Sequence, residues 1–333
     1  MKSRKLFYIS IFFALILITL GVSYLTVSNY IYSVPSVKDD VIVSIPKGSG
    51  LTTISDTLMN SGVIANDKLF ILYVMKEGLQ GDLKAGEYEF EKGSTMAGVV
   101  SQLVAGDVLL YRVTIPEGLT VKEIAKLLDS KRVVDEKDFI LETQDEEFIK
   151  ELLGPKATSF EGYLFPETYS YSRSPNAKEL IILMVERFKA VFDPLQELRD
   201  KTNLSDEEIV ILASIIEKET GAASERPVIS AVFQNRLRIG MKLDSDPTVI
   251  YGMGEEYKGN IRKKDLKEAT RYNTYVIKGL PLGPIANPGK DSIMAVFEPA
   301  DVKYLYFVSK GDGTHHFSNN YREHQRAVYK YQR

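Results

Sequence analysis

Two glutamates close an otherwise apolar stretch, "ILASIIEKETG" at residues 211–221. A carboxyl group at the end of a buried helix can become a general acid. Apolar surroundings and the negative end of the helix dipole both disfavour the carboxylate, and a carboxyl held protonated near neutral pH can protonate a glycosidic oxygen. Advancing about 100° per residue, Glu217 shares a line with Val210, Ala213 and Ser214, whereas Glu219 lies over Leu212, Ile215 and Ile216. The small pair leaves space in front of Glu217 and the bulky trio crowds Glu219, so Glu217 is the expected catalytic group. A structural role, in which Lys218 and nearby loops neutralise two helix-end glutamates, accounts for the same pattern.

Other polar clusters suit a sugar site. "SFEGYLFPETY" (159–169) carries Glu161, Tyr163, Phe165 and Tyr169 on a loop punctuated by Gly and Pro; the rings offer flat faces and Glu161 accepts hydroxyl hydrogens, although a loop packed on the core reads the same way. In "FQNRL", either amide of Gln234 and Asn235 can bind an acetamido group. Asp244 and Asp246 sit at a turn, where Asp246 before Pro247 reads as a helix cap with substrate contact as the second reading. "RYNTYVIKGLPLGPIANPG" sets Tyr272, Asn273, Thr274 and Tyr275 ahead of a Gly/Pro loop, and is the second-ranked site segment.

These side chains need a scaffold. Ser205 and Glu208 form an S-x-x-E capping box and Gly221 a stop, which predicts a helix over 206–220 that is apolar on every side and therefore buried. A second helix is expected over 225–239. "YLYFVSKGDGTHHFS" alternates on both sides of Gly311-Asp312-Gly313 and reads as a hairpin, with His315 and His316 as surface or packing residues. "NNYREHQRAVYKYQ" reads as a terminal amphipathic helix.

Earlier in the chain, "VSIPKGSGLTTISDTL", "YEFEKGSTMAGVVSQL" and "VTIPEGLTVKEIAKLL" repeat one pattern: a half-buried strand, a glycine turn, then a hydroxyl residue able to cap a helix. With a further helix in "NDKLFILYVMKEGL" (66–79), residues 41–106 form a small α+β subdomain of LysM-like order, strand-helix-helix-strand. Residues 107–333 are expected to be a larger mixed α+β catalytic domain with a β-rich C-terminal part.

Before these lies "LFYISIFFALILITLGVSYLTV" (6–27), free of charge. Twenty-two helical residues span about 33 Å, enough to cross a bilayer core. Lys2, Arg4 and Lys5 precede it, which puts residues 1–5 in the cytoplasm and the rest outside, on a single-pass anchor; a cleaved signal peptide is the other reading. Residues 28–40 read as a polar linker.

Composition narrows the function classes. The 333 residues carry a formal net charge of −3, with Lys and Arg interspersed among Asp and Glu, and lack the basic stripe a nucleic acid partner asks for. The chain has no Cys and only three His, which excludes thiolate chemistry and lacks the spacing of a zinc site. No metal and no cofactor are expected.

The segments 211–254 and 271–318, with 159–169, the anchor and the LysM-like part in the same order, resemble the endolytic murein transglycosylases, the MltG or YceG-like family. The resemblance implies an extracytoplasmic lyase that cleaves the β-1,4 bond between N-acetylmuramic acid and N-acetylglucosamine in peptidoglycan strands and leaves a 1,6-anhydro end. It implies the first glutamate of E-K-E-T, Glu217, as the single acid/base, and peptidoglycan synthases as possible partners. Two alternatives stay open: a non-catalytic cell-wall glycan-binding scaffold, and a hydrolase with Asp246 or Glu161 as its second carboxyl.

Overall fold

In the computed structural model, residues 2–173 and 175–332 are described, without the side chains of residues 2–5. The basic residues on which the orientation of the anchor rests, Lys2, Arg4 and Lys5, thus have side chains outside the described set. The chain divides into two units, 1–111 with 170–173, and 112–169 with 174–333.

The first unit begins with α1 (Lys2–Tyr32). Its span Leu6–Tyr32 has a mean hydropathy of 2.4 and is long enough to cross a membrane. The helix continues five residues past the expected end of the anchor, and the expected linker is not a free tether. Ile31 and Val37 are buried in the unit's core, Tyr32 meets Tyr73 edge to face, and Ser36 and Val37 donate to Ser94 O. Apolar residues at these positions explain the difference: they have a core to join.

That core lies between β1 (Val41–Ile45), α2 (Leu51–Asn60), α3 (Asp67–Lys76), β2 (Gly86–Phe90) and α4 (Met96–Ala105). The strands pair antiparallel with Val43 opposite Tyr88, so the alternation places Val43, Ile45, Tyr88 and Phe90 inside. Asn66 and Thr95 cap α3 and α4 by accepting from the backbone N–H three residues on. Buried Glu87 accepts from Tyr111 at 2.6 Å and pairs with Arg173; these two partners hold its carboxyl below the usual range against the opposing effect of burial.

β3 (Leu110–Thr114) pairs with β4 (Thr168–Ser172), where the sequence passes between the units. The second unit contains α5 (Val121–Ser130), α6 (Glu136–Thr143), α7 (Glu146–Leu153), α8 (Ala177–Phe192), α9 (Asp206–Glu219), α10 (Arg226–Arg238), α11 (Asp246–Met253) and α12 (Lys290–Phe297). A hairpin, β5 (Tyr306–Ser309) with β6 (His315–Ser318), and α13 (Tyr321–Tyr331) complete it. The C-terminal part is therefore helix and loop around one hairpin rather than β-rich, because the 255–289 segment turns at Gly and Pro instead of alternating.

At the centre is α9. Its eight residues Ile209–Ile216 are all buried, against Phe188 and Phe192 of α8, Ile229 and Phe233 of α10, and Ile293 and Val296 of α12. The Ser205–Glu208 capping box forms as the spacing predicts. A helix enclosed on every side holds its C-terminal residues in fixed positions, and those residues are the two glutamates.

Candidate functional site

Glu217 lies in a closed polar socket. Its side chain is 6% exposed. Oε2 accepts from Ser292 Oγ at 2.7 Å and from the Gly289 N–H at 3.0 Å, and Oε1 from Arg226 Nη2 at 3.3 Å. The space that Ala213 and Ser214 leave is filled by another segment of the chain: Ser214 Oγ accepts from the Ile285 N–H at 3.0 Å, which brings residues 285–289 over this face. The surroundings of Glu217 are thus hydrogen-bond donors rather than the apolar wall expected from the helix. Arg226 also reaches Glu117 at 3.4 Å and Asp291 at 3.6 Å, and burial, with the charge of Glu217, pushes the Glu117 carboxyl upward.

Glu219 has a different outlook. It lines a cavity of about 440 Å³ together with Asp244, Asp246, Tyr275 and His315. Ser245 Oγ donates to its Oε1. Burial pushes its carboxyl up to about 7 and the charge of Asp246 adds to the effect, against Ser245 and the guanidinium of Arg236. The bulky neighbours Leu212, Ile215 and Ile216 are buried, so they anchor the helix and leave the cavity clear.

Asp246 is the first residue of α11; Ser245 holds the N-cap position without a side-chain cap bond. The expected cap is therefore displaced by one residue. The Asp246 carboxylate instead accepts from Tyr275 OH at 2.7 Å. Asp244 has a left-handed backbone with φ +46°, a conformation that costs a non-glycine residue energy and is found at sites where surrounding structure enforces it.

The remaining polar residues singled out in the sequence are occupied within the protein. Asn273, 1% exposed, donates to Asp265 O and Glu268 O and accepts from the Tyr275 N–H, which sets the direction of Tyr275. Thr274 Oγ1 meets Thr248 Oγ1 at 2.8 Å and accepts from the Ser245 N–H. Gln234 donates to Val296 O, and Asn235 to Val302 O and Tyr304 O. Tyr163 packs edge to face on Phe188, and Tyr272 lies tilted against Tyr251 with ring centroids 4.8 Å apart. Buried Glu161 accepts from the Val121 N–H, Tyr251 OH and Asn287 Nδ2, and burial pushes its carboxyl up to about 7. Of the predicted set, Asp246 and Tyr275 join Glu219 at the cavity, while Glu217 stands among Arg226, Ser292 and Gly289.

Several organising residues had no signal in the sequence. Asn287, 1% exposed, accepts from the Gly162 and Leu164 N–H groups and donates to Leu119 O, tying three loops that are far apart in the chain. Arg226, Ser245 and Ser292 are single polar residues whose partners lie on other elements. Among the described residues, no three or more His, Asp or Glu side chains are placed to hold a metal ion.

The YceG-like family model matches residues 43–330. The endolytic murein transglycosylase of Bacillus subtilis strain 168 is 33% identical over 309 residues, covering 88% of this chain and 85% of that protein. One from Streptococcus pneumoniae strain D39 is 30% identical over 321 residues, and 58% of its length is matched. The crystal structure of a YceG-like protein from Listeria monocytogenes is 32% identical with a TM-score of 0.59, covering 87% of this chain and 99% of that one. A match that runs from the first strand to the terminal helix, through both glutamates and every loop that holds them, makes the chain a member of the YceG-like family.

Proposed function

We propose that this protein is a membrane-anchored endolytic transglycosylase of peptidoglycan, and that Glu219 rather than Glu217 is its general acid. The observation that carries this reading is the environment of Glu219: a carboxyl lifted to about 7, opening on a cavity. A general acid works best with a pKa near the working pH. Glu217 meets a guanidinium, a hydroxyl and a backbone N–H in a closed socket, where its oxygens are engaged within the protein.

In this reading the acid form of Glu219 gives its proton to the glycosidic oxygen between N-acetylmuramic acid and N-acetylglucosamine. The bond from that oxygen to the muramyl anomeric carbon breaks as positive charge develops on the carbon. The muramyl 6-hydroxyl oxygen then bonds to it, closing the 1,6-anhydro ring and releasing its proton. The Glu219 carboxylate left by the first step can accept that proton, so one carboxyl suffices and no water is consumed. A hydrolase would need a second carboxyl roughly 5–10 Å away to activate water or form a covalent intermediate. Of the two candidates for that part, Glu161 is enclosed by its own partners and Asp246 is held by Tyr275.

The long apolar α1 supports a single-pass anchor, with the basic N-terminus in the cytoplasm and the chain that follows the helix outside. The β1–α2–α3–β2 order supports a LysM-like role for residues 41–106 in holding glycan. Strands newly made by peptidoglycan synthases are the natural substrate for an enzyme anchored at the membrane face.

The test is to incubate the wild type, Glu219→Gln and Glu217→Gln with purified sacculi and identify the product ends by mass spectrometry. Wild type should release anhydro-ended fragments, and Glu219→Gln should lose at least about 100-fold in rate. A Glu219→Gln variant at wild-type rate would remove the assignment; reducing ends would indicate hydrolysis; no product from the wild type would leave a glycan-binding scaffold.

A further inference from the structure

The cavity of Glu219 contains a second proton-handling group. His315, first residue of β6, lines it. Its ring Nδ1 lies 2.7 Å from Glu225 Oε2, and its backbone N–H donates to Glu225 Oε1 at 2.9 Å. One carboxylate thus grips the residue twice. The pair is largely enclosed, with side chains 11% and 13% exposed, and Phe307 stands edge-on to the imidazole at 5.3 Å. A carboxylate only accepts, so Nδ1 carries the hydrogen, and in the neutral ring Nε2 is left with its lone pair. Nε2 makes no hydrogen bond with the described residues and is not a buried atom. A carboxylate on Nδ1 fixes the ring's direction and leaves Nε2 as its basic nitrogen, the arrangement in which a third group orients a base.

We infer that His315, positioned by Glu225, accepts the proton of the muramyl 6-hydroxyl as the anhydro ring closes. The inference rests on the proposed lyase reaction and reassigns its second proton transfer. As the hydroxyl oxygen bonds to the anomeric carbon, its O–H bond breaks and the proton moves to Nε2. Glu219 has by then given its own proton to the leaving oxygen, so the cycle ends with imidazolium and carboxylate in one cavity. Transfer of the proton from His315 to Glu219, directly or through solvent, restores the starting state without any other reactant. Division of the two transfers lets each group keep a geometry suited to one of them: Glu219 toward the leaving oxygen and His315 toward the attacking hydroxyl. His315 touches substrate in this scheme and is catalytic; Glu225 acts through it and is a positioning residue.

The experiment uses the full-length protein in detergent with purified sacculi, and compares wild type with His315→Ala, Glu225→Gln and Glu219→Gln. His315→Ala should lose about 100-fold or more in kcat at nearly constant KM, the scale of a general base, and added imidazole should restore at least tenfold of it with the same anhydro product. Glu225→Gln keeps the ring but offers Nδ1 an amide donor, which favours the tautomer with hydrogen on Nε2. It should also lose kcat, and added imidazole should not restore it because the ring still fills the site. Wild-type kcat in either variant, or a loss in His315→Ala that imidazole leaves untouched, would overturn the inference. Wild-type activity in Glu219→Gln would instead remove the reading beneath it, whatever the His315 variants do.

Discussion

Glu217 and Glu219 stand two residues apart on one helix, yet the first is bound by Arg226, Ser292 and the Gly289 backbone while the second faces a cavity. Two positions on an α-helix differ by about 200° in direction, so neighbouring carboxyls enter unrelated surroundings. The proposed division of labour, Glu217 for structure and Glu219 for chemistry, can be tested from both sides.

From the structural side, Arg226 and Glu217 form a buried pair. Arg226→Met should destabilise the protein by about 3–5 kcal/mol, because it leaves the enclosed carboxylate with less compensation. The double change Arg226→Met, Glu217→Met should cost less than the sum of the two single changes. Thermal unfolding of the four proteins measures the coupling, and additive losses would show that the pair does not act as one unit.

From the chemical side, activity should fall as pH rises through about 7, where Glu219 loses its proton. The Ser245 hydroxyl stabilises the carboxylate and lowers this value. Ser245→Ala should therefore move the alkaline limb of kcat/KM upward, by about half to one pH unit. A downward shift, or none, in a pH profile of anhydro-product release would contradict the assigned proton donor.

Glu161 links protonation to stability. Its folded-state carboxyl stands near 7 against an ordinary 4.5, so between those values the folded protein binds more protons than the unfolded chain. The stabilisation from protonation is complete below about 4.5 and is lost as pH rises through about 7. Glu161→Gln cannot titrate. Its denaturation midpoint should decline less than that of the wild type from pH 5 to pH 7.5, and equal slopes in chemical unfolding would count against the burial argument.

Gly162 lies where loop 159–169 approaches the core. It has φ +91°, and a Cβ there would stand 2.6 Å from Pro284 and 2.8 Å from Val210. Gly162→Ala should cost about 2–4 kcal/mol through backbone strain and overpacking. Calorimetry measures it; a change below about 0.5 kcal/mol would mean that the loop moves freely.

Much of the architecture was readable from local pattern, since local chemistry creates it. Ser205 with Glu208, Asn66 and Thr120 satisfy backbone N–H groups three residues on, and Gly311-Asp312-Gly313 reverses a pair of alternating segments. The continuation of α1 to Tyr32 was less legible. A polar-looking stretch after an anchor reads as linker until a core is present to receive Ile31 and Val37. The Ser245 cap position was displaced from the expected Asp246 for a similar reason: buried Thr274, 29 residues away, accepts from the Ser245 N–H and helps hold the turn.

By itself the sequence determined an apolar membrane-length helix, two following sets of strands and helices, and a buried helix ending in two carboxyls. It also determined the direction each carboxyl takes from the helix axis. Tertiary structure alone decided what waits there. Ala213 and Ser214 made room, and residues 285–289 took it and brought Gly289 and Ser292 to Glu217; Ser245 and His315 arrived around Glu219 from elsewhere in the chain. Helical periodicity is a property of neighbours along the chain, whereas the solvation and partners of a charge are set by long-range packing, which no local pattern contains.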